Sequence, residues 1–164
     1  MTTMTRREFL KIAVIAGGMS ASALLLAACG GGEATPAPGA GTGPAITFEL
    51  TTPTAGPGFD KTKLEATAGS KITMKLTNQT KDKLVNLVVS KPGKMLKVVT
   101  NGQIEGEANG YVKEGDEDVI AHTPLIKPGE SAEITFDAPP PGEYPYFTTW
   151  PGYYTIMNGT LTIK

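Results

Sequence analysis

An all-β, two-layer sandwich is the fold the sequence predicts for residues 46–164, on three observations. Apolar residues alternate with polar ones at a period of two: Ile72, Met74 and Leu76 against Thr73, Lys75 and Thr77, Ile134 and Phe136 around Thr135, and Leu161 and Ile163 among Thr160, Thr162 and Lys164. Such runs are strands with one face buried. Leu84 to Val89 is apolar except for Asn86, as a strand covered on both faces requires. Turn chemistry then separates the runs at Ala68-Gly69-Ser70, Lys91-Pro92-Gly93, Lys127-Pro128-Gly129 and Pro139-Pro140-Pro141-Gly142. Short strands at this spacing are the pattern of two packed sheets.

In chain order, the first segment differs in kind. Residues 1–28 begin Thr5-Arg6-Arg7-Glu8-Phe9-Leu10-Lys11, run without charge from Ile12 to Ala28, and end Leu24-Leu25-Leu26-Ala27-Ala28-Cys29. This resembles a twin-arginine export signal, with Arg6 and Arg7 as its motif, joined to a lipoprotein cleavage box. The resemblance implies removal of residues 1–28 and acylation of the Cys29 thiol. Each acyl methylene buried in a bilayer contributes about 0.8 kcal/mol, so several chains anchor the protein firmly. The competing reading is a retained membrane helix. The apolar stretch is short for a span and is interrupted by Gly17-Gly18 and Ser20.

Residues 29–45 follow as the lipidated Cys29 and a Gly/Pro/Ala/Thr tether with one acid, Glu33. Its composition buries too little apolar surface to order itself, and as a coil it spans on the order of 20 Å.

Within the sandwich the least strand-like part is 94–118, which carries Gly102, Gly106, Gly110 and Gly115 and six acids from Glu105 to Asp118. We read it as an excursion beside the sheets holding a short helix. Its charge is either a solvated loop or a steering surface for a cationic partner.

Composition narrows the function. The 164 residues contain one Cys and one His, so neither an internal disulfide nor the usual Cys/His zinc set can form. Fifteen Lys+Arg against 16 Asp+Glu leave no basic excess for nucleic acid. Loss of residues 1–28 removes Arg6, Arg7, Lys11 and Glu8 and takes the net charge from −1 to −3. No Ser/His/Asp set can be placed and the single His has no evident nucleophile beside it, so an enzyme is not expected.

Several segments together identify a family. Val119-Ile120-Ala121-His122-Thr123-Pro124-Leu125-Ile126, Gly129-Glu130 and Ile134-Thr135-Phe136-Asp137 are similar to the azurin family of blue-copper proteins. Phe59-Asp60-Lys61-Thr62-Lys63-Leu64 with Ala68-Gly69 resembles the membrane-tethered auracyanins, and Tyr146 to Thr162 resembles the azurin copper loop without a gap. The resemblance implies a cupredoxin-like Greek-key sandwich over all of 46–164.

The family's copper is held by a histidine preceding an asparagine, a cysteine, a second histidine and a weak axial methionine. Carried onto this chain, those positions are Val85 (followed by Asn86), Thr148, Tyr153 and Met157. Only the methionine is retained. A type 1 centre depends on a short thiolate bond and two imidazoles, with the thioether a tuning ligand. Valine has no lone pair, and hydroxyl and phenol groups are mostly protonated near neutral pH. No cofactor is therefore expected, although copper belongs to the parent family. His122 falls at a position that is not a ligand.

Two functions are implied. The first is a non-enzymatic binding or scaffold module, lipid-anchored outside the cytoplasm. By the resemblance its docking rim is Trp150, Pro151, Tyr153, Tyr154 and Ile156 on the loop of residues 148–157, facing an envelope protein. The alternative for those rings is that they plug the vacated pocket. The second function is blue-copper electron transfer. Asn86 is expected to tie the two ligand-bearing segments together.

Overall fold

The computed structural model describes residues 43–164. The signal, Arg6, Arg7, Cys29 and the tether up to residue 42 lie outside the described residues. Eight strands form two sheets. Strands β1 (Ala45–Thr51), β3 (Lys71–Thr77) and β6 (Ser131–Asp137) make a three-stranded sheet in the order β1-β3-β6. The second sheet has the order β2-β8-β7-β4-β5, from β2 (Lys63–Ala66), β8 (Asn158–Ile163), β7 (Gly142–Phe147), β4 (Val88–Ser90) and β5 (Val119–His122). β1 runs parallel to β3, and β2 parallel to β8; the other pairs are antiparallel.

The predicted alternation is what closes the sandwich. In β3, Ile72, Met74 and Leu76 are fully buried while Lys71 and Lys75 are exposed. Leu161 and Ile163 of β8 and Leu64 and Ala66 of β2 supply part of the opposite wall. On the solvent face the Thr73 and Thr135 hydroxyls lie 3.0 Å apart, a cross-strand pair that reinforces the β3–β6 register.

Three turns read from the sequence share one geometry. Ser70 N–H donates to Thr67 O at 3.2 Å, Lys94 to Lys91 O at 3.2 Å and Glu130 to Lys127 O at 3.0 Å. Each has glycine at its third position with φ between 71° and 81°. This is the left-handed conformation that a type II turn requires there.

Excursion 94–118 contains one helix, α1 (Met95–Glu105), and a 3-10 turn at Glu107–Asn109. Val98 and Val99 of α1 pack with Val88, Val112 and Phe147 in a second apolar cluster, which seats the helix on the sheet.

The structure differs from expectation in two places. Leu84–Val89 is buried on both faces from Val85 onward, yet only Val88 and Val89 belong to a regular strand, β4. Val85 instead makes an isolated bridge to Ile126, with N–H···O distances of 3.2 and 2.7 Å, because the next two backbone N–H groups, of Asn86 and Leu87, donate to the Thr148 and Thr123 hydroxyls at 3.4 and 3.0 Å rather than to a ladder carbonyl. At its start, β1 takes in Ala45, assigned to the tether, because Ala45 pairs with Lys71 in the parallel ladder.

Candidate functional site

The four positions that the resemblance assigns to a copper centre gather at one end of the sandwich. Val85 lies three residues before β4, Thr148 directly after β7, and Met157 directly before β8, with Tyr153 in the β7–β8 loop between them. Backbone bonds close this loop: Thr148 N–H to Met157 O at 3.1 Å, Met157 N–H to Tyr153 O at 2.8 Å, and Tyr153 N–H to Trp150 O at 3.2 Å. Val85, Tyr153 and Met157 line a common cavity of about 180 Å³ together with Trp150. Thr148 is fully buried and is not part of that lining.

Asn86 connects the two chain segments. Its Oδ1 accepts from the Thr148 hydroxyl at 3.0 Å and from the Thr149 N–H at 2.9 Å; its Nδ2 donates to the Thr149 hydroxyl at 2.7 Å and to Gly110 O at 2.9 Å. Every donor and acceptor of the amide is thus used. The Thr148 oxygen also accepts the Asn86 N–H at 3.4 Å and the Trp150 N–H at 3.2 Å. Its one proton and both lone pairs are engaged within the protein.

This donor set does not fit a type 1 copper. Val85 presents methyl groups, the Thr148 hydroxyl is committed, and Tyr153 carries a phenol in place of an imidazole; only the Met157 thioether remains as a soft donor. Among the described residues no buried side-chain nitrogen or oxygen lacks a partner, so none waits for a cation. No group of three or more His, Cys, Asp or Glu side chains is arranged to hold a metal among them either. His122 is exposed on β5, with Nδ1 3.2 Å from Thr123 O.

The proposed rim is heterogeneous. Pro151 is exposed and Ile156 is 52% exposed, whereas Trp150, Tyr153 and Tyr154 are half-buried. Trp150 meets Tyr111 edge-on, with centroids 5.3 Å apart and planes at 82°, while Tyr153 packs on the main core and Tyr154 on the cluster beneath α1. The acidic excursion is partly neutralised internally. Asp118 is nearly buried and pairs with Lys97 at 2.6 Å, and Asp116 accepts from Asn101 at 2.9 Å.

Sequence reasoning missed several residues that shape this end. Gln103 of α1 donates to Thr149 O at 2.6 Å and so ties the excursion to the loop. Asn78, fully buried, donates to Lys83 O at 2.7 Å and Ile126 O at 2.9 Å and accepts from the Thr80 N–H at 3.0 Å. The Asn78-Gln79-Thr80 pattern at a strand end was a readable signal for such a turn.

Comparison with known proteins bears on this geometry. Residues 46–164 match the sequence profile described as copper binding proteins, plastocyanin/azurin family. Auracyanin-A of Chloroflexus aurantiacus is 34% identical, over 89% of this chain and 93% of that protein. Azurin of Alcaligenes faecalis is 42% identical, over 63% of this chain and 82% of that protein. The solved structure of auracyanin A from Chloroflexus aurantiacus, described as a "blue" copper protein, superposes with a TM-score of 0.70 at 31% identity, covering 73% of this chain and 99% of that one.

Proposed function

Because this chain belongs to the plastocyanin/azurin family of copper binding proteins, we propose that it is a copper-free member, anchored by lipid outside the cytoplasm and serving as a non-enzymatic binding or scaffold module. One observation carries the reading: the hydroxyl standing at the thiolate position, Thr148 Oγ1, spends its full hydrogen-bonding capacity on Asn86 and Trp150. Its neighbour at the first imidazole position, Val85, is 1% exposed and apolar. Packing and internal hydrogen bonds here do the work that a metal does elsewhere in the family. The anchor rests on the Arg6-Arg7 motif and on Leu24 to Cys29. Among the described residues no helix is long and apolar enough to cross a membrane. The face that would meet an envelope partner is the loop of residues 148–157, led by Pro151 and Ile156.

Copper(II) titration followed by absorbance and paramagnetic resonance tests the first part. No stoichiometric binding and no type 1 signal are expected; a blue, tightly held copper would return the protein to electron transfer. Family membership and the blue-copper relative favour that second reading, and the donor set opposes it. Membrane fractionation of Cys29→Ser tests the anchor: the variant should leave the membrane fraction, and its retention there would refute lipidation.

A further inference from the structure

The cavity at the former metal end has a shape and lining of its own. Its lining includes the apolar Val85 and Met157, each 1% exposed, and the aromatic Trp150 and Tyr153. Two loops complete it, residues 53–57 and 80–84. Both are held by the same buried amide: Asn78 Oδ1 accepts from the Thr80 hydroxyl at 2.7 Å and the Thr52 hydroxyl at 3.3 Å, and the Thr52 hydroxyl in turn accepts the Gln79 N–H at 2.7 Å. The bases of the two loops are therefore tied together before anything binds, which lowers the ordering cost of association.

Size and charge then select an occupant. About 180 Å³ accommodates a single ring; an apolar cavity of roughly 150 Å³ is enough for benzene. A thioether and two aromatic rings in the lining favour a planar π system over a branched aliphatic one. The charged residues lining it are Lys81, Asp82 and Lys83. Lys83 pairs with Asp82 at 3.2 Å, which leaves one net positive charge in the lining, on Lys81.

We propose that this cavity binds a small planar aromatic molecule bearing one anionic group, its ring over Val85 and Met157 and its charge toward Lys81. The inference rests on the copper-free binding-module reading and gives that module a ligand class.

Trp150 is the single tryptophan of the chain and lines the cavity, so its emission reports occupancy. The full-length chain in lipid nanodiscs is titrated with phenylacetate and with its neutral counterpart phenylacetamide. A saturable change is expected for both, with phenylacetate bound roughly two- to fivefold more tightly, the range one exposed charge pair supplies. Lys81→Gln should erase that difference while leaving phenylacetamide binding unchanged, and Val85→Phe should abolish both by filling the cavity. Lys81→Gln is a surface change, so the test survives if Val85→Phe fails to fold. No response to either probe, or equal affinity for the two in the wild type, would overturn the proposal. Copper(II) added to the same sample separates the two levels. A type 1 spectrum defeats the copper-free reading, whereas no copper signal together with no probe response defeats the ligand assignment alone.

Discussion

Asn86 grips Thr149 through both its backbone and its side chain: Oδ1 accepts the Thr149 N–H at 2.9 Å and Nδ2 donates to the Thr149 hydroxyl at 2.7 Å. The same amide reaches Thr148 and Gly110, so one fully buried side chain joins the approach to β4, the β7–β8 loop and the excursion. These bonds hold the segments that carry Val85 and Thr148 beside one another.

Asn86→Ala should therefore cost about 2–4 kcal/mol, because it strands buried partners on the β7–β8 loop and removes the bond to Gly110 of the excursion. Urea denaturation checks this. A change within about 0.5 kcal/mol would mean the loops are held by packing instead.

Val85→His, Thr148→Cys and Tyr153→His together should restore blue absorbance on addition of copper(II), since Met157 already lies beside Val85 and Tyr153 in the cavity. A variant that folds but stays colourless would place the family's centre elsewhere in this chain.

A binding role for the loop predicts that Trp150→Ala, which removes a half-buried ring held against Tyr111, reduces cross-linking to a defined envelope partner without unfolding the domain. Undiminished cross-linking of that partner would remove the loop from the interface.

Gly102→Ala in α1 should destabilise by about 1–3 kcal/mol through overpacking. A methyl group there would run into the backbone carbonyl of Tyr111, a residue itself held at φ 55°. Thermal melts compare it with Gln103→Ala, which removes a single hydrogen bond and should cost less.

Acid should weaken the fold in a defined direction. Burial pushes the Asp60 carboxyl up, but the Lys61 ammonium and the Thr51 N–H together bring it below its ordinary 3.8. For Asp116 the Asn101 amide and the Asp118 N–H do the same. Both groups bind protons less readily in the native state than in the unfolded chain. Their contribution is thus fully present above about pH 4 and is lost as pH falls through the lowered native values. Because both carboxylates are partly solvated, each supplies only a few tenths of a kcal/mol. Asp116→Asn should flatten the decline in unfolding free energy below about pH 4 and leave the plateau toward pH 7 nearly level.

Much of the sandwich was legible because a strand with one buried face writes its period into the chain, as in Ile72-Thr73-Met74-Lys75-Leu76. β7 was harder to see. Pro145 argues against a central strand, and the structure resolves this because β4 pairs only with Phe147 and Tyr146, leaving β7 with a partner on one side at Pro145. The family was legible from short motifs, and residues 46–164 match its profile. The cavity was not legible. Its walls come from residues near 53, 80, 85 and 150–157, and no periodicity relates segments brought together only by sheet topology.

The sequence by itself determined which atoms are available at the positions that the resemblance assigns to a metal, because ligand chemistry belongs to residue type: a valine, a threonine, a tyrosine and one methionine, with a single histidine elsewhere. Only the tertiary structure decided how those atoms are occupied. The Thr148 hydroxyl and the Asn86 amide lie 62 residues apart in the chain, and their hydrogen bond exists because β4 and β7 are neighbours in one sheet. Whether a buried polar group is satisfied depends on what the fold places within about 3 Å of it.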